Sequence, residues 1–230
     1  MGPAAYPLTV RADLDQPGRW LWLVKWLLLI PHFIVLAFLW LAFAVVTLIA
    51  FFAILFTTRY PRRLFDFNVG VLRWSWRVSY YGYAALGTDR YPPFTLADVP
   101  DYPARLTVDY PEQLNRWLPL IKWLLAVPQY LLVTALLGAG YSAASAADDG
   151  RGYAYTGPSL LGAAVLISAV ALLFTGRYPA GMYDLAVGIN RWSYRLVLYV
   201  ALMTDRHPPF RLDQGRDDPE GPVQADPSGP

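Results

Sequence analysis

The chain has 230 residues, 56% of them hydrophobic, and a mean hydropathy of +0.31, which is high for a soluble domain. It contains no cysteine and only two histidines, which excludes disulfides and thiolate chemistry and argues against a histidine-rich metal site. The formal net charge of +2, without a basic run, argues against a nucleic-acid partner. We therefore expect no metal, no other cofactor and no nucleic acid.

Two parts of the chain, 6–96 and 102–212, carry the same short motifs in the same order. Such internal similarity indicates two copies of one structural unit. We predict a first repeat over 1–98, a second over 99–212, and a tail over 213–230 whose composition is typical of disorder. The matching segments are YPLTV (6–10) and YPARLTV (102–108), RWLWLVKWLLLIP (19–31) and RWLPLIKWLLAVP (116–128), LFTTRYP (55–61) and LFTGRYP (173–179), FDFNVGVLRWSWR (65–77) and YDLAVGINRWSYR (183–195), and TDRYPPFTL (88–96) and TDRHPPFRL (204–212).

The second copy is longer than the first at one place. The offset between matching residues grows from 97 to 118, so 21 additional residues, AGYSAASAADDGRGYAYTGPS, lie near 139–159. This polar, glycine-rich stretch is typical of a loop, and insertions are best tolerated in loops. We therefore predict a turn at the matching point, Leu41–Ala42, and a helical hairpin in each copy, at about 18–57 and 115–175.

One long bent helix over Trp20–Thr57, crossing a membrane once, is the alternative to the first hairpin. Of the 19 Lys and Arg residues only Arg151 lies in the insertion, so hairpins would leave the other 18 on one side. The positive-inside rule makes that side cytoplasmic and the insertion extracytoplasmic. We therefore predict a multi-pass protein of the bacterial plasma (inner) membrane with both termini in the cytoplasm. The second helix of the first hairpin would be only about 23 Å long, so a re-entrant hairpin stays open.

A third helix is predicted after each hairpin, at about 62–86 and 180–202. One aspartate, one glycine and two arginines are spaced four, three and four apart and form one stripe, while the rest is mostly apolar or aromatic, as in an amphipathic helix at a membrane surface. The stripe has two open roles, to bind the phosphate of a lipid headgroup or to form structural ion pairs. Its charged members are Asp66, Arg73 and Arg77 in the first copy and Asp184, Arg191 and Arg195 in the second.

Each copy ends in a closing motif, Thr-Asp-x-x-Pro-Pro-Phe. Paired prolines hold the chain extended, so we expect these segments and the LTV segments to form a small cytoplasmic sheet. Asp89 and Asp205 would begin the turn or brace the segment. Phe94 and Phe210 are expected to be buried against their own repeat, and presentation to a partner is the alternative.

Inside the first predicted helix of each hairpin, Pro31 and Pro128 should produce kinks. His32 could relay protons, but Gln129 stands at its place in the second copy, which favours a structural hydrogen bond. Four tryptophans at matching positions are expected to anchor the chain at the membrane interface: Trp20, Trp26, Trp117 and Trp123.

The combination of RYP, VG-x-x-RW-x-x-R and TD-x-x-PPF resembles the bacterial membrane-protein family known as domain of unknown function 4389, over residues 6–212. The resemblance implies a membrane protein. It implies no catalytic residue, because the family has no assigned activity.

The residues and the resemblance together lead to one reading of the chain. We expect an all-α membrane protein, built as a tandem repeat of a helical hairpin and an interfacial helix with short extended cytoplasmic segments. No nucleophile–base pair or phosphate-binding loop is recognisable, so we expect no enzyme and no catalytic residue. The expected function is a scaffold or accessory subunit that binds membrane lipids or a membrane-protein partner; the alternative is a small channel or transporter with a site between the repeats.

Overall fold

The computed structural model describes residues 6–15, 17–137 and 159–215. Within these ranges the chain is mostly helical, with six helices and one pair of strands. The strands are β1 (Leu8–Ala12) and β2 (Ala104–Val108), and the helices are α1 (Trp22–Thr57), α2 (Arg62–Tyr81), α3 (Leu118–Leu125), α4 (Val127–Leu137), α5 (Leu160–Thr175) and α6 (Ala180–Val200).

Helix α1 is continuous over 36 residues, so the predicted hairpin over 18–57 with a turn at Leu41–Ala42 is wrong. The segment around that point, FLWLAFAVV, contains no glycine, proline or polar residue that would favour a turn, and the loop chemistry belongs to the second copy alone. The helix ends at Thr58, whose left-handed backbone (φ 59°) lets its N–H bond the Ile54 carbonyl. With a mean hydropathy of 2.8 in its most apolar window, α1 is long and apolar enough to cross a membrane.

The second copy interrupts the matching stretch. Helices α3 and α4 meet at Ala126 with a bend of 42°, two residues before Pro128, which confirms the kink predicted there. Helix α1, in contrast, continues through Pro31. The insertion at 139–159 lies outside the described residues except for Ser159, whose hydroxyl caps α5 by accepting the Gly162 N–H at 2.7 Å.

Helices α2 and α6 begin where they were predicted and end within a few residues of the prediction. Their surroundings differ from the prediction, however. In α2, 13 of 20 residues are buried, because the helix is packed against both α1 and β2. The predicted amphipathic helices at a membrane surface are therefore core helices, and the arginines of their stripes face other parts of the chain.

The strands come from the two LTV segments, and they pair with each other. β1 and β2 are antiparallel, with Leu8 opposite Val108, Ala12 opposite Ala104, and Thr9 opposite Thr107. The closing motifs do not join this sheet, so the predicted pairing of PPF with LTV segments is wrong for the described residues. The strand pair therefore links the first copy of the sequence to the second.

A helix of each copy also packs on the strand of the other copy. Helix α2 of the first copy packs on β2 of the second, and α6 of the second packs on β1 of the first. In the shared core the Tyr80 hydroxyl lies 2.6 Å from that of Tyr183 and donates to the Asp13 carbonyl at 2.7 Å. Burial raises the pKa of both phenols, which therefore remain protonated donors at neutral pH.

We expect Tyr80→Phe to weaken the contact between the copies. The change keeps the ring but leaves the Asp13 carbonyl and the Tyr183 hydroxyl without this partner in a buried place, which costs about 1–3 kcal/mol. Thermal unfolding of the purified protein measures the loss. Tyr130→Phe is the matched control, since that ring is 40% exposed. Equal melting temperatures for the two variants would contradict this description of the core.

Candidate functional site

A buried lysine at the start of α1 reaches the closing motif of its own copy. Lys25 is the only charged residue of α1, and its side chain is fully buried. Its Nζ atom donates to the Thr88 carbonyl at 2.7 Å and lies 2.9 Å from Asp89 Oδ1 and 4.6 Å from the centre of the Tyr81 ring. The Thr-Asp pair is thus the partner of a buried ammonium group.

The second copy contains the same contact at matching positions. Lys122 Nζ donates to the Thr204 carbonyl at 2.8 Å and lies 2.8 Å from Asp205 Oδ1 and 5.2 Å from the Tyr199 ring centre. Asp205 Oδ2 also accepts the N–H of Asn115 at 2.6 Å. In the first copy Asp89 Oδ2 accepts the N–H of Gly18 in the same way. Each aspartate therefore holds both the lysine and the chain that leads into its helix.

A strained turn precedes the Thr-Asp pair in both copies. Leu86 (φ 51°) and Leu202 (φ 62°) have left-handed backbones although both side chains are buried leucines. This conformation costs about 1–2 kcal/mol for a residue with a Cβ atom. The lysine–aspartate contacts are among the interactions that can compensate for that cost.

Sequence reasoning found the two aspartates but missed Lys25 and Lys122. A signal was present, because a single lysine recurs at the same place in two otherwise apolar runs, RWLWLVKW and RWLPLIKW. A lysine in an apolar helix needs a partner when it is buried.

A second repeated contact lies seven residues after each lysine, in α1 of the first copy and in α4 of the second. His32 Nδ1 accepts the Trp74 indole N–H at 3.1 Å, and Gln129 Oε1 accepts the Trp192 indole N–H at 2.6 Å. Gln129 also donates to the Pro208 carbonyl at 2.8 Å. Histidine and glutamine therefore fill the same hydrogen-bonding role, as the sequence predicted.

The two closing phenylalanines are not buried, which corrects the prediction. Phe94 is 51% exposed and Phe210 is 57% exposed. The Phe94 ring stacks on His32 with 4.0 Å between ring centres, so the residue is held against its own repeat although about half of it is exposed. The motif is fastened to α1 a second time by Tyr91, whose hydroxyl donates to the Leu28 carbonyl at 3.1 Å.

The arginine stripe of the first copy binds backbone carbonyls. Arg73 Nε donates to the Leu106 carbonyl in β2 at 3.0 Å. Arg77, which is 2% exposed, donates to the carbonyl of Ala97 at 2.9 Å and also to that of Thr95. Asp66 does not join them, since it forms an exposed ion pair with Arg62.

The stripe of the second copy does the same with β1 and the end of the chain. Arg191 donates to the Val10 carbonyl at 3.1 and 2.9 Å and to the Asp213 carbonyl at 2.8 Å. Arg195 pairs with the Asp213 carboxylate at 2.5 Å. Asp184 is only partly buried and makes none of these contacts. Asp213 was predicted to begin a disordered tail, but it is part of the fold.

The partners of the buried arginines distinguish the two roles considered for the stripe. Arg77, Arg191 and Arg195 are buried, and their donors point to carbonyls and a carboxylate of this chain. The geometry of these three arginines favours the structural role over binding of a lipid headgroup.

A cavity of about 540 Å³ lies between the two copies. Among the described residues, its walls are apolar except for the hydroxyl groups of Thr47, Tyr130 and Ser193. Thr47 accepts from Asn68, and Ser193 donates to the Ile189 carbonyl, so two of the three hydroxyls are engaged within the chain. The lining residues are Trp40, Phe43, Ala44 and Thr47 of α1, Tyr130, Val133 and Leu137 of α4, and Ser193, Leu196, Val197, Val200 and Ala201 at α6.

Metal ligands do not gather anywhere in the described part of the chain. No group of three His, Asp or Glu side chains in residues 6–15, 17–137 and 159–215 is placed to hold an ion.

The contacts of the first copy lie within a part of the chain that matches a known family, whereas Lys122 and Gln129 of the second copy lie outside the matched residues. The family model described as "Domain of unknown function (DUF4389)" matches residues 19–95 and 155–211, which together make up more than half of the chain. The chain belongs to this family. The two matched segments are consistent with a duplicated domain of unknown function 4389 and contain both closing motifs. No curated protein and no solved structure matches the chain.

We expect Asp89→Ala to destabilise the protein, and Lys25→Met added to it to restore most of the lost stability. Removing Asp89 leaves the buried ammonium with the Thr88 carbonyl and the Tyr81 ring but without a counter-charge. This costs about 3 kcal/mol, the lower end for a broken buried pair, because the carboxylate is 30% exposed. The double variant with Lys25→Met should regain most of that stability, since an apolar residue of similar length fits the same place. Thermal unfolding in the full chain measures both.

Asp66→Ala is the control for this comparison, because its ion pair with Arg62 is exposed and worth about 0–1 kcal/mol. If Asp89→Ala unfolds no earlier than Asp66→Ala, the buried pair does not have the structural role described here.

The second copy supplies the control for His32. His32→Gln should preserve stability because Gln129 makes the same bond to Trp192, whereas His32→Leu should cost about 1–3 kcal/mol by leaving the Trp74 indole N–H without an acceptor. The melting temperature and the tryptophan fluorescence of both variants give the comparison. A loss of equal size in both variants would indicate that histidine chemistry, and not the hydrogen bond, matters at this position.

Proposed function

We propose that this protein is a membrane-embedded scaffold or accessory subunit without enzymatic activity. The observation that carries the proposal is the exposed apolar surface of α1. Only 17% of its most apolar window is buried, and large side chains such as Phe38 (70% exposed) and Phe56 (76% exposed) are mostly left uncovered by the described residues. A water-soluble monomer rarely exposes so large an apolar patch, and hydrocarbon is the solvent that suits it.

The second copy extends the same surface. Helices α3, α4 and α5 expose Leu124, Leu131, Leu166 and Phe174 by more than half of their side-chain areas. The bent pair of α3 and α4 passes the length and composition test of a membrane span when the two are taken together. A partner protein would have to cover all of these faces at once, which favours lipid as the main contact.

Exposed tryptophans support the same placement. Trp20, Trp26, Trp117 and Trp123 are each 57–68% exposed, and they stand at matching places near the starts of α1 and α3. Indole rings are enriched at the boundary between hydrocarbon and water. Their positions support a boundary near these helix starts.

The absence of an enzymatic activity is part of the proposal, and its support is the use of the repeated polar residues. Asp89, Asp205, Arg77, Arg191 and Arg195 each bind a backbone group or an ion-pair partner within the chain. Side chains used in this way hold a fold together and are not free to act on a substrate.

A small channel or transporter is the second candidate function. The cavity between the copies favours it, because transport sites commonly lie between repeats. The described walls offer three hydroxyl groups and no charge, which suits an apolar occupant better than an ion. Flux of a solute through proteoliposomes that contain the protein, absent from empty liposomes, would move this candidate to first place.

A charge on the exposed face of α1 tests the membrane location. We expect Phe38→Lys to lower the fraction of the protein that stays in the membrane after an alkaline wash, because a lysine in hydrocarbon costs about 2.5–3.5 kcal/mol. Thr107→Lys places the same residue on the exposed side of β2 and should have no effect. Equal retention of the two variants would contradict the proposal.

A further inference from the structure

We propose that α1 lies along the plane of the membrane within one leaflet and does not cross it. This rests on the proposed membrane location and goes beyond it, since the sequence predicts crossing helices. The partner surface is one leaflet of a lipid bilayer, and the strand pair would lie on the water side of that leaflet. The first support for this placement is the way in which the two ends of α1 are attached to the rest of the fold.

The start of α1 is tied to the end of β1. Lys25 Nζ binds the Thr88 carbonyl at 2.7 Å, and the Thr88 hydroxyl donates to Asp15 Oδ2 at 3.1 Å. The Asp15 N–H donates to the Gly87 carbonyl at 3.0 Å, which forms a short bridge beside Thr88. Asp15 follows β1, which ends at Ala12.

The end of α1 is tied to the end of β2. The Leu114 N–H donates to the Thr58 carbonyl at 2.9 Å, and the Tyr110 hydroxyl donates to the Tyr60 carbonyl. Tyr110 follows β2, which ends at Val108. This attachment is a direct pair of hydrogen bonds to the segment that follows β2, whereas the one at the start of α1 runs through Thr88.

The strands are antiparallel, so the end of β1 and the end of β2 lie at opposite ends of the pair. The two ends of α1 are therefore attached to the two ends of one strand pair. Because of this, the strand pair extends in the same general direction as α1, and α2 packs against both α1 and β2. If α1 crossed a membrane, the strand pair would have to lie across the hydrocarbon core beside it.

The strand pair does not suit hydrocarbon. Each strand has one edge without a strand neighbour in the two-stranded sheet, and open sheet edges do not occur in contact with lipid. Arg105 in β2 forms an ion pair with Asp98 at 3.0 Å, and both side chains are about one third exposed (32% and 34%). A charged pair with this exposure is stable in contact with water and costly in hydrocarbon, so this part of the strand pair suits the water side of the membrane.

The length of α1 leads to the same placement. A helix of 36 residues is about 54 Å long, whereas the hydrocarbon core is about 30 Å thick. To keep the whole apolar helix inside the core, a crossing α1 would have to tilt by about 56°, beyond the usual range of about 0–40°. A helix that lies within one leaflet has no such mismatch.

The placement also accounts for the charge distribution. Exposed Arg19 stands before α1, and exposed Arg59, Arg62 and Arg63 follow it. A crossing helix would put one of these groups on each side of the membrane. A helix within one leaflet keeps them on one side, as the positive-inside rule favours, without the hairpin that α1 lacks.

Single cysteines test the placement, since the natural chain has none. Leu14→Cys and Arg63→Cys place exposed thiols before and after α1. In sealed membrane vesicles of either orientation, a membrane-impermeant maleimide should label both positions from the same side. Labelling of the two positions from opposite sides would overturn the proposal.

A depth measurement keeps the test valid if one of these variants fails to fold. Ile34, Leu41, Val45 and Phe52 lie on one exposed face of α1, and spin labels on cysteines at these positions report depth through collisions with oxygen and a nickel chelate. We expect similar depths at all four. A steady change of depth that passes through the bilayer centre would overturn the proposal.

The two proposals fail in different ways. Release of the wild-type chain from vesicles by the alkaline wash would overturn the membrane location and this placement with it. Opposite-side labelling of a chain that stays in the membrane would overturn the placement alone.

Discussion

The contact on which the rest of the structure depends is the one between buried arginines and the carbonyl groups of the strand pair. A two-stranded sheet is only marginally stable by itself, and a buried guanidinium group is costly unless its donors find acceptors. Arg73 of the first copy binds β2 of the second, and Arg191 of the second binds β1 of the first. Each strand thus receives hydrogen bonds from an arginine of the other copy, so neither the strand pair nor the arginine contacts can form within one copy.

This exchange accounts for both the strengths and the errors of the sequence reasoning. The period of the stripe in α2 correctly places Arg73 and Arg77 on one face of a helix. What covers that face is not visible from the period, because β2 lies about 30 residues further along the chain and belongs to the other copy. The same spacing of charged residues occurs in helices at a membrane surface and in helices buried in a protein core.

The error in α1 has a different origin. The insertion in the second copy was taken to mark a turn in both copies, but the first copy has a continuous helix there. An insertion identifies a loop only in the chain that carries it. The bend before Pro128 was predictable because a proline removes a helical hydrogen bond. The recurring lysine signalled a need for a partner, but the sequence did not identify Asp89 as that partner, because the two residues are 64 positions apart.

The fold separates two kinds of surface. The strand pair and the segments around it carry ion pairs, while α1 and α3 to α5 expose leucine, phenylalanine and tryptophan. The lysine–aspartate contacts and the bonds of His32 and Gln129 join the apolar helices to the closing motifs and to α2. The proposed one-leaflet placement follows from this division, because it gives each surface the solvent that suits it.

The central claim of this account is that the two copies form one cooperative unit through the arginine contacts. Native-state hydrogen exchange of the full chain in lipid tests it most directly, by comparison with Arg191→Lys, which keeps the charge but loses the paired bonds to Val10. The account predicts that protection falls in β1, β2 and α2 as much as in α6. A loss of protection confined to α6 and the end of the chain would contradict it.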